Sequence, residues 1–283
     1  MTDDLVSTQW LAEHLSDPDL RIIDIRGHVI PASEPHPHYF NHHADYLESH
    51  IPGALFVDWV NEITDPADPR HAQIAQPERY AAVASRLGIG PETQVVAYDD
   101  ANGMFASRIW WSLHYYGHEK VAILNGGWEK WTAEGRPTSA EIPEVASTEF
   151  KASPNEAIRR TGEQILAGLG SAQRVLIDVR SPAEFAGQSS RAKRMGHIPG
   201  AINQPRATLV AEDHTLLPAE ALREIFARHG IDNQTPEIVT YCNGGVSASY
   251  VMLALYAAGF QQVAMYDGSW KDWGNDDSRP IET

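Results

Sequence analysis

The chain has little cysteine and no long apolar run. Only one of its 283 residues, Cys242, is a cysteine, which excludes an internal disulfide and suits a reducing compartment. No apolar run approaches the ~20 residues of a membrane span, and the acidic start at residues 1–4 lacks the apolar core of a signal peptide. We therefore expect a cytoplasmic protein without a membrane partner.

Motifs of cofactor and metal chemistry are also missing. The sequence has no Gly-x-Gly-x-x-Gly, no P-loop, no Gly-x-Ser-x-Gly and no His-Glu-x-x-His. We therefore expect no cofactor and no metal.

Positive charge is scarce as well, since 22 Lys and Arg against 38 Asp and Glu give a formal net charge of −16. Such a field repels nucleic acid, so we expect no nucleic-acid partner.

Cys242 lies where a strand is expected to end and a helix to begin. An apolar run at 238–241 precedes it, and two glycines and a helix-like stretch follow it. A Gly-rich turn and a helix N-terminus bring N–H groups and positive potential to one point, which favours a thiolate. A buried structural cysteine is the alternative, but it requires neither the glycines nor the turn. The predicted site is the nucleophile Cys242 with the loop Asn243, Gly244, Gly245, Val246 and Ser247.

Four blocks of sequence occur twice in the same order. They are residues 20–26 and 174–180, 50–54 and 197–201, 95–99 and 238–242, and 124–131 and 266–273. This order indicates a tandem duplication, with domains at 1–138 and 161–283 and a polar linker at 139–160. In the second copy the third block ends on Cys242, whereas the first copy has Asp99 or Asp100 there, depending on where the gap is placed.

Apolar strands alternate with helical stretches in both copies, which predicts an α/β fold whose two central, mostly parallel sheets carry helices on both faces. The first copy is expected to have strands near 21–25, 54–57, 95–98 and 121–124, and helices near 7–14, 77–87 and 106–116. The second is expected to have strands near 175–179, 201–203, 238–241 and 263–266, and helices near 162–169, 219–229 and 247–258.

Several polar motifs are interpreted as structural first. The Asp-x-Arg pairs at 24–26 and 178–180 most simply form ion pairs that fix a loop, with a substrate role for Arg180 as second choice. The two His-Ile-Pro-Gly-Ala blocks shape a turn, but His50 could face the loop of the other copy and contact the substrate there. The His-rich insertion at 35–43 is better explained as a surface or cleft-lining loop than as a metal site.

The duplicated Asp-x-Arg, His-Ile-Pro-Gly-Ala, cysteine loop and Tyr-Asp-Gly-Ser-Trp block at 266–270 resemble the two-domain rhodanese family of thiosulfate and 3-mercaptopyruvate sulfurtransferases. The Arg-Ile-Trp-Trp block at 108–111 adds to the match, which extends from about residue 7 to 281. The resemblance implies a silent first domain and a second domain whose Cys242 takes sulfur from a small anionic donor as a persulfide. A thiol or cyanide would then accept the sulfur. A monomer is expected, since the duplication supplies both domains.

The chain departs from the family's donor signatures. Gly244 stands where mercaptopyruvate enzymes have a serine, and Asn243-Gly244 stands where thiosulfate enzymes have a basic pair. Glu184 occupies the position of the family's substrate arginine, where it would repel an anion. The nearest replacements are Arg191, Lys193 and Arg194, of which we favour Arg191.

Two alternatives follow from these departures. The protein could be a persulfide carrier or sulfur-binding partner with slow turnover of small donors. A phosphatase or arsenate reductase relative would need a Cys-x5-Arg loop, but Ala248 stands at the arginine position.

Overall fold

The computed structural model describes residues 4–31, 34–35, 37–70 and 72–283, and these divide into two compact units. Unit 1 takes in the described residues of Met1–Ala67, Ile74–Asn155 and Ala211–Thr215. Unit 2 takes in those of Asp68–Gln73, Glu156–Val210 and Leu216–Thr283. Each unit thus contains one of the two sequence copies and a short segment from the other half of the chain.

Unit 1 is built on a five-stranded parallel sheet in the order β1-β7-β6-β2-β5. Its strands are β1 (Leu5–Val6), β2 (Leu20–Asp24), β5 (Ala54–Phe56), β6 (Gln94–Tyr98) and β7 (Val121–Leu124). The insertion adds an antiparallel pair, β3 (Gly27–Val29) and β4 (Tyr39–Asn41). The helices are α1 (Thr8–His14), α2 (His43–Glu48), α3 (Pro77–Arg86), α4 (Ala106–Tyr115) and α5 (Gly127–Ala133).

Unit 2 repeats this topology strand for strand. Its parallel sheet has the order β8-β12-β11-β9-β10, from β8 (Arg159–Arg160), β9 (Val175–Asp178), β10 (Ile202–Asn203), β11 (Ile238–Tyr241) and β12 (Val263–Tyr266). Its helices are α6 (Gly162–Ala167), α7 (Pro182–Phe185), α8 (Ala219–Ala227), α9 (Val246–Ala258) and α10 (Ser269–Trp273). Identical strand order in two units confirms the predicted duplication of an α/β fold.

Burial explains why the central strands are apolar at every position. All residues of β7, β11 and β12 are buried, as a parallel sheet flanked by helices requires. The helix α9 is apolar around most of its circumference and buried along most of its length, so it is an internal helix. It ends at Gly259, whose φ of +100° suits the left-handed position that terminates a helix.

The structure adds short elements that the sequence did not predict. The helices α2, α5, α7 and α10 are four to seven residues long, too short for an apolar period to be visible. The edge strands β1 and β8 have two residues each, and Arg159–Arg160 lies in the segment predicted as linker. The helices α5 and α10 matter most, because both follow a glycine-containing turn at the end of a central strand.

Candidate active site

Cys242 follows directly after the central strand β11 of unit 2. Its side chain is buried, with 5% of the residue exposed. Its amide donates to the hydroxyl of Ser269 at 3.1 Å, and its carbonyl accepts from the amide of Trp270 at 2.9 Å. The backbone on both sides of the thiol is therefore held by α10, the short helix that follows the neighbouring strand β12.

The loop after Cys242 leads at once into α9. Gly245 has a φ of +81°, which permits the sharp turn, and α9 begins at Val246 with thirteen residues. A helix of this length presents partial positive charge at its N-terminus. The thiol therefore lies at the strand end under a helix N-terminus, as the sequence predicted.

The geometry identifies Asp99 as the counterpart of Cys242 in unit 1. The carbonyl of Asp99 accepts from the amide of Trp128 at 2.8 Å, the same contact that Cys242 makes with Trp270. In both units the preceding tyrosine hydroxyl accepts from an isoleucine amide at 3.2 Å, Tyr98 from Ile51 and Tyr241 from Ile198. These repeated contacts align Asp99 with Cys242 and place the gap after Asp99.

The loop of unit 1 holds the carboxylate of Asp99 as an internal anion. Its two oxygens accept from the amides of Ala101 and Gly103 at 2.9 and 2.8 Å and from those of Phe105 and Ala106 at 2.6 and 2.8 Å. Burial raises the pKa of this carboxyl, and the N–H groups oppose that rise. Four convergent N–H groups show that this strand–loop–helix arrangement forms an anion cradle, filled here by an aspartate.

Each Asp-x-Arg motif forms a buried ion pair that fixes the following loop. The Nη2 atom of Arg180 donates to Asp178 at 2.5 Å and to the carbonyl of Gly196 at 2.7 Å. The guanidinium lies over the ring of Trp270 with its carbon 4.5 Å from the centroid. Arg26 repeats this arrangement in unit 1 with Asp24 and the carbonyl of Ser49. The geometry favours the structural interpretation of Arg180, which is 3% exposed.

The two repeated histidines of the His-Ile-Pro-Gly-Ala blocks are also structural in geometry. His50 is fully buried in unit 1, with Nδ1 2.7 Å from the carbonyl of Tyr46 and Nε2 3.0 Å from that of Glu141. His197 places its Nδ1 2.8 Å from the carbonyl of Phe185. Both ring nitrogens of His50 are thus engaged by the backbone, which leaves neither for the substrate contact considered above.

Of the three predicted basic residues, Arg191 fits the site best. Arg194 donates to the carbonyls of Trp273, at 2.9 Å, and of Arg279, at 2.8 Å, so it serves to hold the C-terminal segment. Lys193 is exposed. Arg191 is half-buried and its charge lowers the pKa of Lys271, a buried residue that also interacts with Cys242. Arg191 therefore acts electrostatically on α10, the helix that holds the backbone of Cys242.

Glu184 is held at the site by hydrogen bonds and contacts the loop. It accepts from the side-chain amide of Asn243 at 2.8 Å and from the hydroxyl of Ser181 at 2.9 Å. Glu184 and Ser181 also form the capping box of α7. The carboxylate therefore fixes the orientation of Asn243, whose side-chain oxygen is buried without a hydrogen-bond partner.

His42 of the His-rich insertion belongs to a hydrogen-bonded chain in unit 1. His28 and His42 lie 2.7 Å apart through their ring nitrogens, and His42 contacts the carboxylate of Asp100 at 2.6 Å. His36 lies outside the described residues. Among the residues that are described, no group of three or more His, Cys, Asp or Glu could hold a metal ion.

Sequence reasoning missed two residues of the site, Ser269 and Lys271. Ser269 has a φ of +54°, a strained conformation for a residue with a side chain, and its hydroxyl donates to the carbonyl of Tyr266 while accepting from Cys242. Lys271 is 7% exposed. The signal available in the sequence is a lysine between two tryptophans, Trp270 and Trp273.

Comparison with known proteins agrees with this geometry. Within the described part of the chain, no helix is long and apolar enough to cross a membrane. Bovine thiosulfate sulfurtransferase is 36% identical over 95% of this chain and 91% of its own length. The sulfur carrier protein TtuD of Thermus thermophilus is 35% identical over 96% of this chain and 93% of its own.

A solved structure shares the fold at full length. SseA from Escherichia coli, described as a 3-mercaptopyruvate sulfotransferase, superposes with a TM-score of 0.83 and 33% identity, covering 94% of this chain and 98% of that one. The family model described as the rhodanese-like domain matches residues 7–134 and again residues 161–276. The resemblance inferred from the motifs is therefore confirmed: the chain belongs to the rhodanese family and contains two rhodanese-like domains.

Proposed function

We propose that Cys242 is the nucleophile with which this sulfurtransferase moves sulfane sulfur from thiosulfate or 3-mercaptopyruvate to a thiol or cyanide. The observation that carries the proposal is the placement of the chain's single thiol after β11, below the N-terminus of α9 and held by α10. Relatives of nearly equal length are named as thiosulfate and 3-mercaptopyruvate sulfurtransferases, which supports the two donors.

The first half of the reaction forms a persulfide. The Cys242 thiolate attacks the outer sulfur of thiosulfate, an S–S bond forms, and the bond to the sulfonate breaks with its electron pair leaving as sulfite. With 3-mercaptopyruvate the C–S bond breaks, and the thiol proton ends on the carbon that becomes the methyl group of pyruvate. In both cases one negative charge stays on the enzyme as the persulfide anion. The loop of residues 243–247 and the N-terminus of α9 stabilise that anion.

The second half regenerates the thiolate. Cyanide or an acceptor thiolate attacks the terminal sulfur, takes it over as thiocyanate or as a new persulfide, and Cys242 leaves with the electron pair of the S–S bond. Both half-reactions pass through one side chain, which predicts ping-pong kinetics. Neither half requires a metal or an organic cofactor by its own chemistry.

Intact mass spectrometry tests this proposal directly. The wild-type protein, treated separately with each donor, is expected to gain about 32 Da, the mass of one sulfur, since the persulfide anion is stabilised. Cys242→Ser is expected to show no adduct. Ser249→Ala serves as the control, because its hydroxyl faces the carbonyl of Val246 inside α9. An undiminished adduct in Cys242→Ser, or none in wild type with either donor, would overturn the proposal.

A persulfide carrier is the second candidate, and the name of the Thermus relative favours it. A carrier would form the same adduct but pass it slowly to cyanide and quickly to a protein thiol. The rate at which cyanide removes the 32 Da adduct in a single turnover therefore separates the two candidates. A cyanide rate equal to or above the rate with a protein thiol supports the enzyme, and a cyanide rate far below it supports the carrier.

Cellular setting and partners follow from the same chemistry. We propose that the protein works in a reducing compartment, the cytoplasm, because the single thiol must stay reduced between turnovers. Its net charge of −16 is unfavourable for nucleic acid, and the two repeated domains lie in one chain, so we propose a monomer that meets only its sulfur donor and acceptor.

A further inference from the structure

A line of hydrogen bonds in unit 1 ends on the exposed ring of His28. A carboxylate oxygen of Asp100, in the loop after β6, lies 2.6 Å from Nδ1 of His42. Nε2 of His42 in turn lies 2.7 Å from Nδ1 of His28 in β3. A carboxylate, an inner imidazole and an exposed imidazole are thus linked in sequence, and the reaction proposed for Cys242 uses none of them.

The backbone holds this relay in place at both ends. The amide of Gly27 donates to the other carboxylate oxygen of Asp100 at 3.1 Å. In the antiparallel pair of β3 and β4, His28 lies opposite Phe40, and their rings stack with centroids 4.6 Å apart. A Cβ atom at Gly27 would collide with the carbonyl oxygen of Phe40, so this close approach of the two strands requires glycine. The relay is therefore part of the hairpin and not a chance contact of surface side chains.

The relay determines which nitrogen of His28 carries the proton. A carboxylate oxygen can only accept, so Nδ1 of His42 is the donor to Asp100. In a neutral ring the other nitrogen carries a lone pair, and Nε2 of His42 therefore accepts the proton on Nδ1 of His28. By the same rule Nε2 of His28 carries a lone pair. The exposed end of the relay is a nucleophilic nitrogen whose ring can pass a proton inward.

The charged side chains that interact with Asp100 or His42 are mostly acidic. They are Asp45 of α2, Asp99 after β6, Glu129 of α5 and Arg26 after β2. The charge of Arg26 is already paired with Asp24, at 2.9 Å. A positive charge that develops on the relay is therefore stabilised, and an anionic reagent is repelled.

We propose that Nε2 of His28 is a second nucleophile of this protein, which accepts acyl groups from neutral activated acyl donors such as aryl esters. His42 and Asp100 are its positioning residues. Phosphoryl and acyl phosphate donors are disfavoured, because their negative charge meets the acidic side chains around the relay. The reaction does not involve Cys242, so it is independent of sulfur transfer.

The acyl transfer takes place in two steps. The lone pair of Nε2 attacks the carbonyl carbon, a C–N bond forms, and the bond to the leaving oxygen breaks with its electron pair on that oxygen. The Nδ1 proton of acylated His28 moves to Nε2 of His42, next to the carboxylate of Asp100. Water then attacks the acyl carbon, and the C–N bond breaks with its electron pair on His28. Nδ1 recovers its proton from His42, and the proton lost by water balances the leaving-group anion.

Reaction of Cys242→Ser with p-nitrophenyl acetate tests the proposal without the competing thiol. At about pH 8, where imidazole rings are neutral, we expect p-nitrophenolate release to be about tenfold faster than in the same variant with His28→Phe. The peptide that contains His28 should gain about 42 Da, the mass of an acetyl group in place of a proton. Phenylalanine keeps a ring for the stack on Phe40. His43→Phe removes an exposed histidine outside the relay and should leave the rate unchanged.

Asp100→Asn tests the part of the relay behind His28. Asparagine keeps an oxygen for the amide of Gly27 but is no longer an obligatory acceptor for His42. We expect acyl transfer to fall about tenfold. Heteronuclear NMR of the imidazole nitrogens should show the His28 proton on Nδ1 in the parent and a loss of that preference in Asp100→Asn. A residue that only supported the fold would not move this proton.

Circular dichroism checks that each variant retains the fold. Equal rates with and without His28, or an acetyl group spread evenly over other histidines, would overturn the proposal. A His28 that carries its proton on Nε2 in the parent would overturn it as well. Acetyl phosphate is the anionic comparison and should give no adduct on His28, so an adduct equal to that from the neutral ester would contradict the choice of donor class.

Discussion

At the scale of single residues, the two copies differ most in the charge they place at one point. Asp99 fills the cradle of unit 1 with its own carboxylate, while Cys242 brings a thiol to the equivalent place. A carboxylate that already accepts four N–H groups occupies the place that an anionic donor or persulfide would take, so we propose that the loop of unit 1 does not transfer sulfur. Cys242 has no carboxylate in its side chain, so the loop around it can interact with the negative charge of an incoming donor.

Glu184 is an acidic residue that contacts the loop after Cys242 in unit 2. The effect of its negative charge on donor binding can be measured. Glu184→Gln keeps an oxygen for Asn243 and Ser181 but removes a negative charge near the donor. We expect the KM for thiosulfate to fall about threefold with kcat unchanged, since only the electrostatic repulsion is removed. Initial-rate kinetics measures this, with the exposed Glu224→Gln as control. A higher KM would contradict the repulsion and assign Glu184 a positioning role alone.

At the scale of elements, the short helices α5 and α10 decide which side chains reach the strand-end loops. Both follow the last strand of their sheet in chain order, β7 and β12, and both donate a tryptophan amide to the carbonyl at the end of the adjacent strand. In unit 1 this arrangement brings Glu129 towards Asp99 and Asp100, which are also acidic. Burial and these two charges raise the pKa of Glu129 more than Arg26 lowers it, so ionisation of Glu129 is unfavourable in the folded state.

Neutralising Glu129 is therefore expected to stabilise the protein in a pH-dependent way. Its pKa is raised from 4.5 to about 7, so the folded state binds the proton more tightly and stability falls as the pH rises from 4.5 through 7. Glu129→Gln should gain roughly 1 kcal/mol at pH 8, after allowance for partial exposure, and almost nothing at pH 4.5. Calorimetric midpoints at the two pH values measure the difference.

The exposed Glu119→Gln is the control for that comparison, because it makes the same change of charge outside the acidic group. A gain of equal size at both pH values would show that the side chain of Glu129 acts through packing instead of charge.

At the scale of the whole molecule, a strongly acidic protein uses an anionic substrate. The net charge of −16 repels a dianion over the length of the electrostatic field, while the N-terminus of α9 attracts it only close to the thiol. Salt screens long-range interactions between exposed charges more than interactions at partly buried ones. The two effects can therefore be separated by ionic strength.

We expect kcat/KM for thiosulfate to rise about twofold between roughly 20 and 200 mM potassium chloride, since the Debye length falls from about 20 Å to about 7 Å over that range. The smaller charge of 3-mercaptopyruvate should give a smaller rise, which serves as the internal control. A steep fall with salt would instead show that exposed positive charge steers the donor to the site.

The sequence by itself determined the duplication, the central strands and the position of the thiol. Four repeated blocks are visible without coordinates, and runs such as Ile238–Tyr241 are apolar because a covered parallel sheet buries both faces. The glycine turn and the long apolar helix after Cys242 are equally local signals, so the candidate nucleophile and its loop could be predicted.

Only the tertiary structure decided what surrounds that thiol. The strands β11 and β12 are neighbours in the parallel sheet, so their carboxyl ends lie side by side and bring Lys271 to Cys242 across a long stretch of sequence. A five-residue helix has no period from which this orientation could be inferred. The structure likewise shows that His50 is buried against backbone carbonyls and that Asp99 is the counterpart of Cys242. Neither could be predicted from the sequence, because both depend on hydrogen bonds between distant segments.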